Sequence, residues 1–244
     1  MGISDLHYIM SEQAVVLQKE QFDPTAIRAA IFDFDGTLAE TDIDFGLMRQ
    51  RVLEVADRWG LVDHLDEKRY ILEIVDDALA MLPEDGDRER FRDETAKAMR
   101  DVELVFTSVA SPFPGVPRTL EQLRECGRRV GIITRNCRAG VQSVFDRHPM
   151  HHEILLTRDD VERVKPHPDH LLEALDALQV APEEALMVGD HITDIEVGHA
   201  AGTWTAGVLT AKTTGEQFEE VGAHLVLDSV ADLSDVLCLG EGPG

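Results

Sequence analysis

With 244 residues, 43% hydrophobic and 29% charged, the chain reads as an ordinary soluble globular protein of one to two domains, long enough to bury a sizeable core. The formal net charge of -24, from 47 acids against 23 bases, argues against broad binding to nucleic acid or anionic membranes, because such surfaces need Lys and Arg to neutralise phosphates. No apolar run approaches the roughly 18 residues of a transmembrane helix and no secretory leader pattern opens the chain, so a cytoplasmic location is expected.

Residues 1–28 are an amino-terminal extension. Leu6, Ile9, Met10, Gln13, Val16 and Leu17 share one helical stripe, and the spacing predicts an amphipathic helix over residues 5–20. Asp23-Pro24 punctuates the chain before residues 29–32, an apolar run with the composition of a short buried strand. The run breaks abruptly at Asp33-Phe34-Asp35-Gly36-Thr37. Two carboxylates one residue apart cost energy unless a cation or a reaction uses them; a strand-terminating turn is the plainer alternative.

Residues 42–113 carry no convincing strand. Leu47, Val52, Val55, Ala56 and Trp59 fit one amphipathic helix, and Leu65, Tyr70, Leu72, Val75 and Leu79 a second. Phe91, Ala98, Val102, Val105 and Phe106 fit a third, after a break from Pro83 to Asp87. From 114 onward strands and helices alternate, with strands expected at 129–134, 153–157, 185–188, 204–209 and 224–227. The composition switch marks an inserted helical domain, 42–113, within an α/β domain made of 29–41 and 114–244. Strands separated by crossover helices imply a parallel sheet covered on both faces, with any site outside the strands' carboxyl ends. Cys126, Cys137 and Cys238 are odd in number and lack metal-ligand spacing, so core thiols are expected rather than a disulfide framework or a zinc site.

Several of the apolar strands end in polar residues of complementary type: Asp33 and Asp35, then Thr134-Arg135-Asn136, then Gly189-Asp190 with Asp194 following. Lys165 sits in Arg163-Val164-Lys165-Pro166-His167-Pro168, where the prolines hold the backbone extended. Singly, Thr134 and Asn136 read equally as turn residues, Asp190 as a helix cap and Lys165 as a solvated lysine. Jointly they have one coherent use. Asp33, Asp35 and Asp190 offer hard oxygen ligands suited to magnesium (Mg2+), which with Lys165 would neutralise an incoming phosphoryl group.

In these four motifs, in order and with matching spacing, the chain resembles the haloacid dehalogenase superfamily, in the branch whose helical cap is inserted after the first motif. The resemblance runs from about Ala29 to Val230. It implies a Rossmann-like α/β core with an all-helical cap, Asp33 as nucleophile forming an aspartyl-phosphate, and Asp35 as general acid and base. It further implies magnesium held by the Asp33 carboxylate, the Asp35 backbone carbonyl and the Asp190 carboxylate, with Asp194 in support. Thr134, nearby amides and Lys165 would hold the phosphoryl oxygens, and Arg135 and Asn136 complete the expected substrate-binding set. Asp35 itself favours a phosphatase or phosphomutase over a dehalogenase, because family dehalogenases lack an acid there.

The resulting expectation is a magnesium-dependent phosphatase of the phosphoglycolate phosphatase-like kind, acting on a small phosphorylated metabolite as a monomer or homodimer. A sugar phosphomutase of the beta-phosphoglucomutase type is the alternative, and a non-catalytic binding protein on the same fold is a third. His191 is either a substrate contact or a rim histidine. Arg49 and Arg51 either bind a substrate anion or lie on a solvated helix face.

Overall fold

The computed structural model describes residues 7–11, 14–18 and 22–238. In chain order its strands and helices begin with β1 (His7–Ser11), β2 (Ala14–Gln18), β3 (Ala29–Phe32) and β4 (Ala39–Glu40). Three helices follow, α1 (Phe45–Arg58), α2 (Ile71–Met81) and α3 (Asp85–Thr107). Next come β5 (Ser111–Pro112), α4 (Val116–Glu125), β6 (Arg129–Ile133), α5 (Arg138–Phe145), β7 (Ile154–Leu156) and α6 (Asp169–Leu178). The last are β8 (Ala185–Gly189), α7 (Ile192–Ala201), β9 (Trp204–Val208), α8 (Gly215–Glu220), β10 (Leu225–Leu227) and α9 (Leu233–Leu237).

Every residue of β3 is buried and apolar, because both faces of its sheet are covered. Successive side chains of a strand point to opposite faces. Ala30 and Phe32 therefore join one core with Leu120 and Leu123 of α4 and Val141 and Val144 of α5. Ala29 and Ile31 join another with Leu171, Leu175 and Leu178 of α6 and Val197 of α7. The six strands run in the order β10-β9-β8-β3-β6-β7, every neighbouring pair parallel. β3 pairs β6 on one side and β8 on the other, so the chain order reverses at β3, and a crevice at the carboxyl ends is where such sheets place a ligand.

The chain divides into two compact units, one taking in residues up to Thr41 and from Ala110 onward, the other Asp42–Val109. The second unit is helical, with Val52, Val55, Ile74, Val75, Phe91 and Val102 in its core. It ends at Val109 rather than at the expected 113, because Ser111 and Pro112 pair antiparallel with Glu40 and Ala39 in the first unit. Among the described residues no helix is long and apolar enough to cross a membrane.

Two expectations are corrected. Residues 7–11 and 14–18 are not helical: β1 and β2 pair antiparallel, with Ile9 opposite Val16. Ala14-Val15-Val16-Leu17 is a contiguous apolar run with two β-branched valines at its centre, and such residues favour strands even where their spacing also satisfies a helical stripe. The remainder of the 5–20 stretch lies outside the described residues. Cys126 and Cys238 are not separate core thiols but a disulfide that ties the end of α4 to the end of α9; Cys137 is buried and lies outside that disulfide. An odd count gave no pairing signal, and only folding brings residues 112 apart together. Removing a cross-link over so long a separation typically costs about 2–5 kcal/mol. We expect Cys238→Ser to lower the urea midpoint accordingly, and reductant to do the same to the native chain but not to the variant. An unresponsive native midpoint would show the thiols unpaired.

Candidate active site

The first strand end sets the geometry. The Asp33 backbone N–H continues the ladder by donating to the Val188 carbonyl at 2.9 Å, which carries Asp33 to the edge where β8 also ends. Its Oδ1 lies 2.8 Å from the Lys165 ammonium, and that ammonium lies 2.7 Å from Asp194 Oδ1. Lys165 and Asp194 are buried, and the two carboxylates outweigh the desolvation, holding the ammonium above the ordinary lysine value. The loop that delivers Lys165 is itself fixed, since its backbone N–H donates to His170 Nδ1 at 3.3 Å and His170 Nε2 lies 3.1 Å from the Leu156 carbonyl. Burial, and then the Lys165 charge, lower His170 to about 4, so its ring is neutral near pH 7, with Nδ1 accepting and Nε2–H donating.

Oxygen ligands of Asp33, Asp190 and Asp194 lie within 4.8 Å of one another. Burial, followed by the charges of Asp33 and Asp194, pushes Asp190 up to about 8, and burial likewise raises Asp194 although Lys165 opposes the shift. One ammonium against three clustered carboxylates leaves an excess of negative charge. The donors are all hard oxygens, the set that suits magnesium or calcium rather than a soft metal.

Thr37, quoted in the first motif but given no separate role by the sequence, orients this cluster by donating its hydroxyl to Asp190 Oδ1 at 2.7 Å. Gly36 has φ of +80°, and a Cβ there would sit 2.7 Å from Asp190 Oδ2. A Cβ on Gly189 would meet Asp194 Oδ2 at 2.1 Å. We expect Gly36→Ala to cost about 1–2 kcal/mol in backbone strain, and to weaken any divalent-cation binding because Asp190 must shift. Thermal melts with and without magnesium check it; an unchanged magnesium response would show that Asp190 had not moved.

The two carboxylates of the first motif meet different motifs. Asp35 turns to the second motif: Thr134 Oγ1 donates to its Oδ2 at 3.1 Å and Asn136 Nδ2 to its Oδ1 at 2.8 Å. Arg135, between them, is half-buried, and its carbonyl accepts from the Arg158 guanidinium at 2.9 Å. His191 caps α7: its Nδ1 accepts from the Thr193 N–H at 3.2 Å, while the Asp194 carboxylate accepts from the His191 N–H. Arg49 donates to the Glu67 and Arg69 carbonyls and Arg51 pairs with Glu54 at 3.0 Å, so each has a structural partner within the helical unit.

Three strand-end motifs and a buried loop lysine meet at the reversal point of a parallel sheet. The sequence pattern of haloacid dehalogenase-like hydrolases matches residues 30–208. The chain belongs to the haloacid dehalogenase-like hydrolases. That match includes Asp33, Asp35, Thr134, Lys165, Asp190 and Asp194, together with the whole helical insertion. Among curated relatives, a protein named pyrophosphatase PpaX from Bacillus cereus is 40% identical over 127 residues, which is 51% of this chain and 59% of the relative. The chain thus matches little more than half the length of that relative. A haloacid dehalogenase-like hydrolase from Bacteroides fragilis superposes with a TM-score of 0.63 at 27% identity, over 85% of this chain and 99% of the other. CbbY from Rhodobacter sphaeroides, solved in complex with phosphate, superposes with a TM-score of 0.60 at 25% identity, over 85% and 96% respectively. In this haloacid dehalogenase-like hydrolase the parallel α/β sheet is the one that the sequence implied.

Proposed function

We propose that the protein is a magnesium-dependent phosphatase that hydrolyses a small phosphorylated metabolite through an aspartyl-phosphate on Asp33. The observation that carries this reading is the divergence of two carboxylates one residue apart. Asp33 lies 2.8 Å from the Lys165 ammonium within the acid cluster, whereas Asp35 accepts hydrogen bonds from Thr134 and Asn136. One acid thus lies against a cation and the other against a hydroxyl and an amide, a division that suits a nucleophile and a proton carrier.

Asp33 attacks phosphorus as the bond to the leaving oxygen breaks, and Asp35 gives that oxygen its proton. Asp35 then takes a proton from the water that attacks phosphorus, releasing inorganic phosphate and restoring Asp33. Splitting the displacement in two lowers the barrier of each part. Lys165 holds Asp33 in place and offers positive charge to the phosphoryl oxygens, where charge stabilisation does most of the catalysis. Asp33 and Asp190, with the Asp35 backbone carbonyl, are the residues that would hold magnesium, and Asp194 supports them through Lys165. When bound, magnesium supplies charge neutralisation for the carboxylates and the phosphoryl group.

The name of the Bacillus cereus relative and the phosphate bound to CbbY support a phosphoryl substrate. The test is phosphate release by the purified protein from a panel of small monoesters, sugar phosphates and pyrophosphate, with magnesium or with a chelator. Release from monoesters that the chelator abolishes is expected. Isomerisation of a sugar phosphate without release would favour the mutase, and no turnover of any ester would overturn the reading.

A further inference from the structure

Asn136, expected at the substrate, spends its amide on Asp35. Its Nδ2 donates to Asp35 Oδ1 at 2.8 Å, and its Oδ1 is buried without a hydrogen-bond partner. The opposite amide orientation would set oxygen against carboxylate, acceptor against acceptor, so the chemistry selects the orientation described. Leaving a buried carbonyl oxygen unpaired is costly, and it persists here because the other end of the amide is committed to Asp35. The first turn of α5 closes over this oxygen: a Cβ on Gly140 would come within 2.6 Å of Asn136 Oδ1.

Thr134 is placed differently. Its oxygen accepts the Asn136 backbone N–H at 3.0 Å while its own hydroxyl donates to Asp35 Oδ2 at 3.1 Å. A hydroxyl has one proton to donate. Thr134 therefore cannot serve Asp35 and a phosphoryl oxygen at the same time, whereas the Asn136 amide faces no such choice.

We propose that Asn136 is the positioning residue for Asp35, gripping Oδ1 through the whole cycle while the Thr134 hydroxyl turns from Oδ2 to an incoming phosphoryl oxygen and so frees Oδ2 for proton transfer. The inference rests on the phosphatase reading above. In the first half-reaction the Asp33–phosphorus bond forms, the bond to the leaving oxygen breaks, and the proton on Oδ2 passes to that oxygen. In the second, the water–phosphorus bond forms, the Asp33–phosphorus bond breaks, and a water proton returns to Oδ2.

Leaving-group dependence separates positioning from support of the fold. p-Nitrophenolate departs without protonation, whereas an alkoxide needs the Asp35 proton. Asn136→Ala, and Asn136→Leu as a variant that keeps the volume and removes the unpaired oxygen, should be compared with the native enzyme on p-nitrophenyl phosphate and on glycerol phosphate. We expect phosphate release from glycerol phosphate to fall on the order of 10²-fold with KM little changed, since that is the worth of positioned acid–base assistance. The first-turnover burst of p-nitrophenolate should survive, followed by slow release of phosphate. An equal fall in the burst and in glycerol phosphate turnover would overturn the inference alone, as would a raised KM with kcat unchanged. Native enzyme that releases phosphate from neither ester would overturn the phosphatase reading, and this inference with it.

Discussion

Asp33→Asn should abolish turnover, by on the order of 10⁴–10⁶-fold in kcat, while leaving the fold intact. An amide of the same shape has no anionic oxygen to attack phosphorus, and no other group in the cluster is placed to replace it. Asp190 stays oriented by Thr37 and Asp194 stays paired with Lys165, so the rest of the cluster is undisturbed. Lys165 loses one carboxylate in the variant but keeps Asp194 at 2.7 Å, which is why a buried, unpaired ammonium does not result. Circular dichroism and a melt within a few degrees of the native protein should accompany the loss. Native enzyme quenched in acid during turnover of a radiolabelled phosphoryl substrate should retain label on protein, and the variant should not. Substantial residual turnover would remove Asp33 as the nucleophile.

Asp190→Asn should uncouple the cluster from both magnesium and pH. Burial, with Asp33 and Asp194 nearby, raises Asp190 from 3.8 to about 8, so between those values the folded state holds a proton that the unfolded chain releases. The stability Asp190 contributes is therefore fully present below the unfolded value and is lost as pH rises toward 8 in the absence of a divalent cation. A cation that binds only the folded cluster opposes this loss, by about 2.7 kcal/mol at a hundred times its dissociation constant. We expect magnesium to raise the native Tm more at pH 8 than at pH 5. Asn at this position stays neutral at every pH and still accepts from Thr37, so the variant should lose the magnesium response and much of the decline. Its turnover should fall on the order of 10³-fold, as several kcal/mol of lost charge stabilisation implies. A native-like magnesium response in the variant would refute the assignment of Asp190.

The candidate edge was legible because its signals are local. Asp33, Thr134 and Asp190 each follow an apolar run, Lys165 stands in a proline-flanked loop, and a parallel sheet aligns the carboxyl ends of its strands whatever lies between them. The partners of those residues were not legible. Thr37 to Asp190 and Thr134 to Asp35 span 153 and 99 residues, and a hydroxyl or amide carries no sequence mark of what it will face. His170 is the clearest case: on an apolar helix it reads as a filler, yet it holds the Lys165 backbone. The amino-terminal strands were missed because short, partly apolar stretches fit both periods, and pairing decides between them.

By itself the sequence determined the alternation of strands and helices, the helical insertion, and the identity and order of the acids, the hydroxyl and the lysine, since these depend on residue type and short-range period. Only the tertiary structure decided how the acids divide. Asp33 joins Lys165, Asp190 and Asp194, Asp35 joins Thr134 and Asn136, and Cys126 finds Cys238. Asp33 and Asp35 would share a face if the strand continued, but β3 ends at Phe32 and the chain turns, and which donor or cation each one meets is set by neighbours some hundred residues away in the chain.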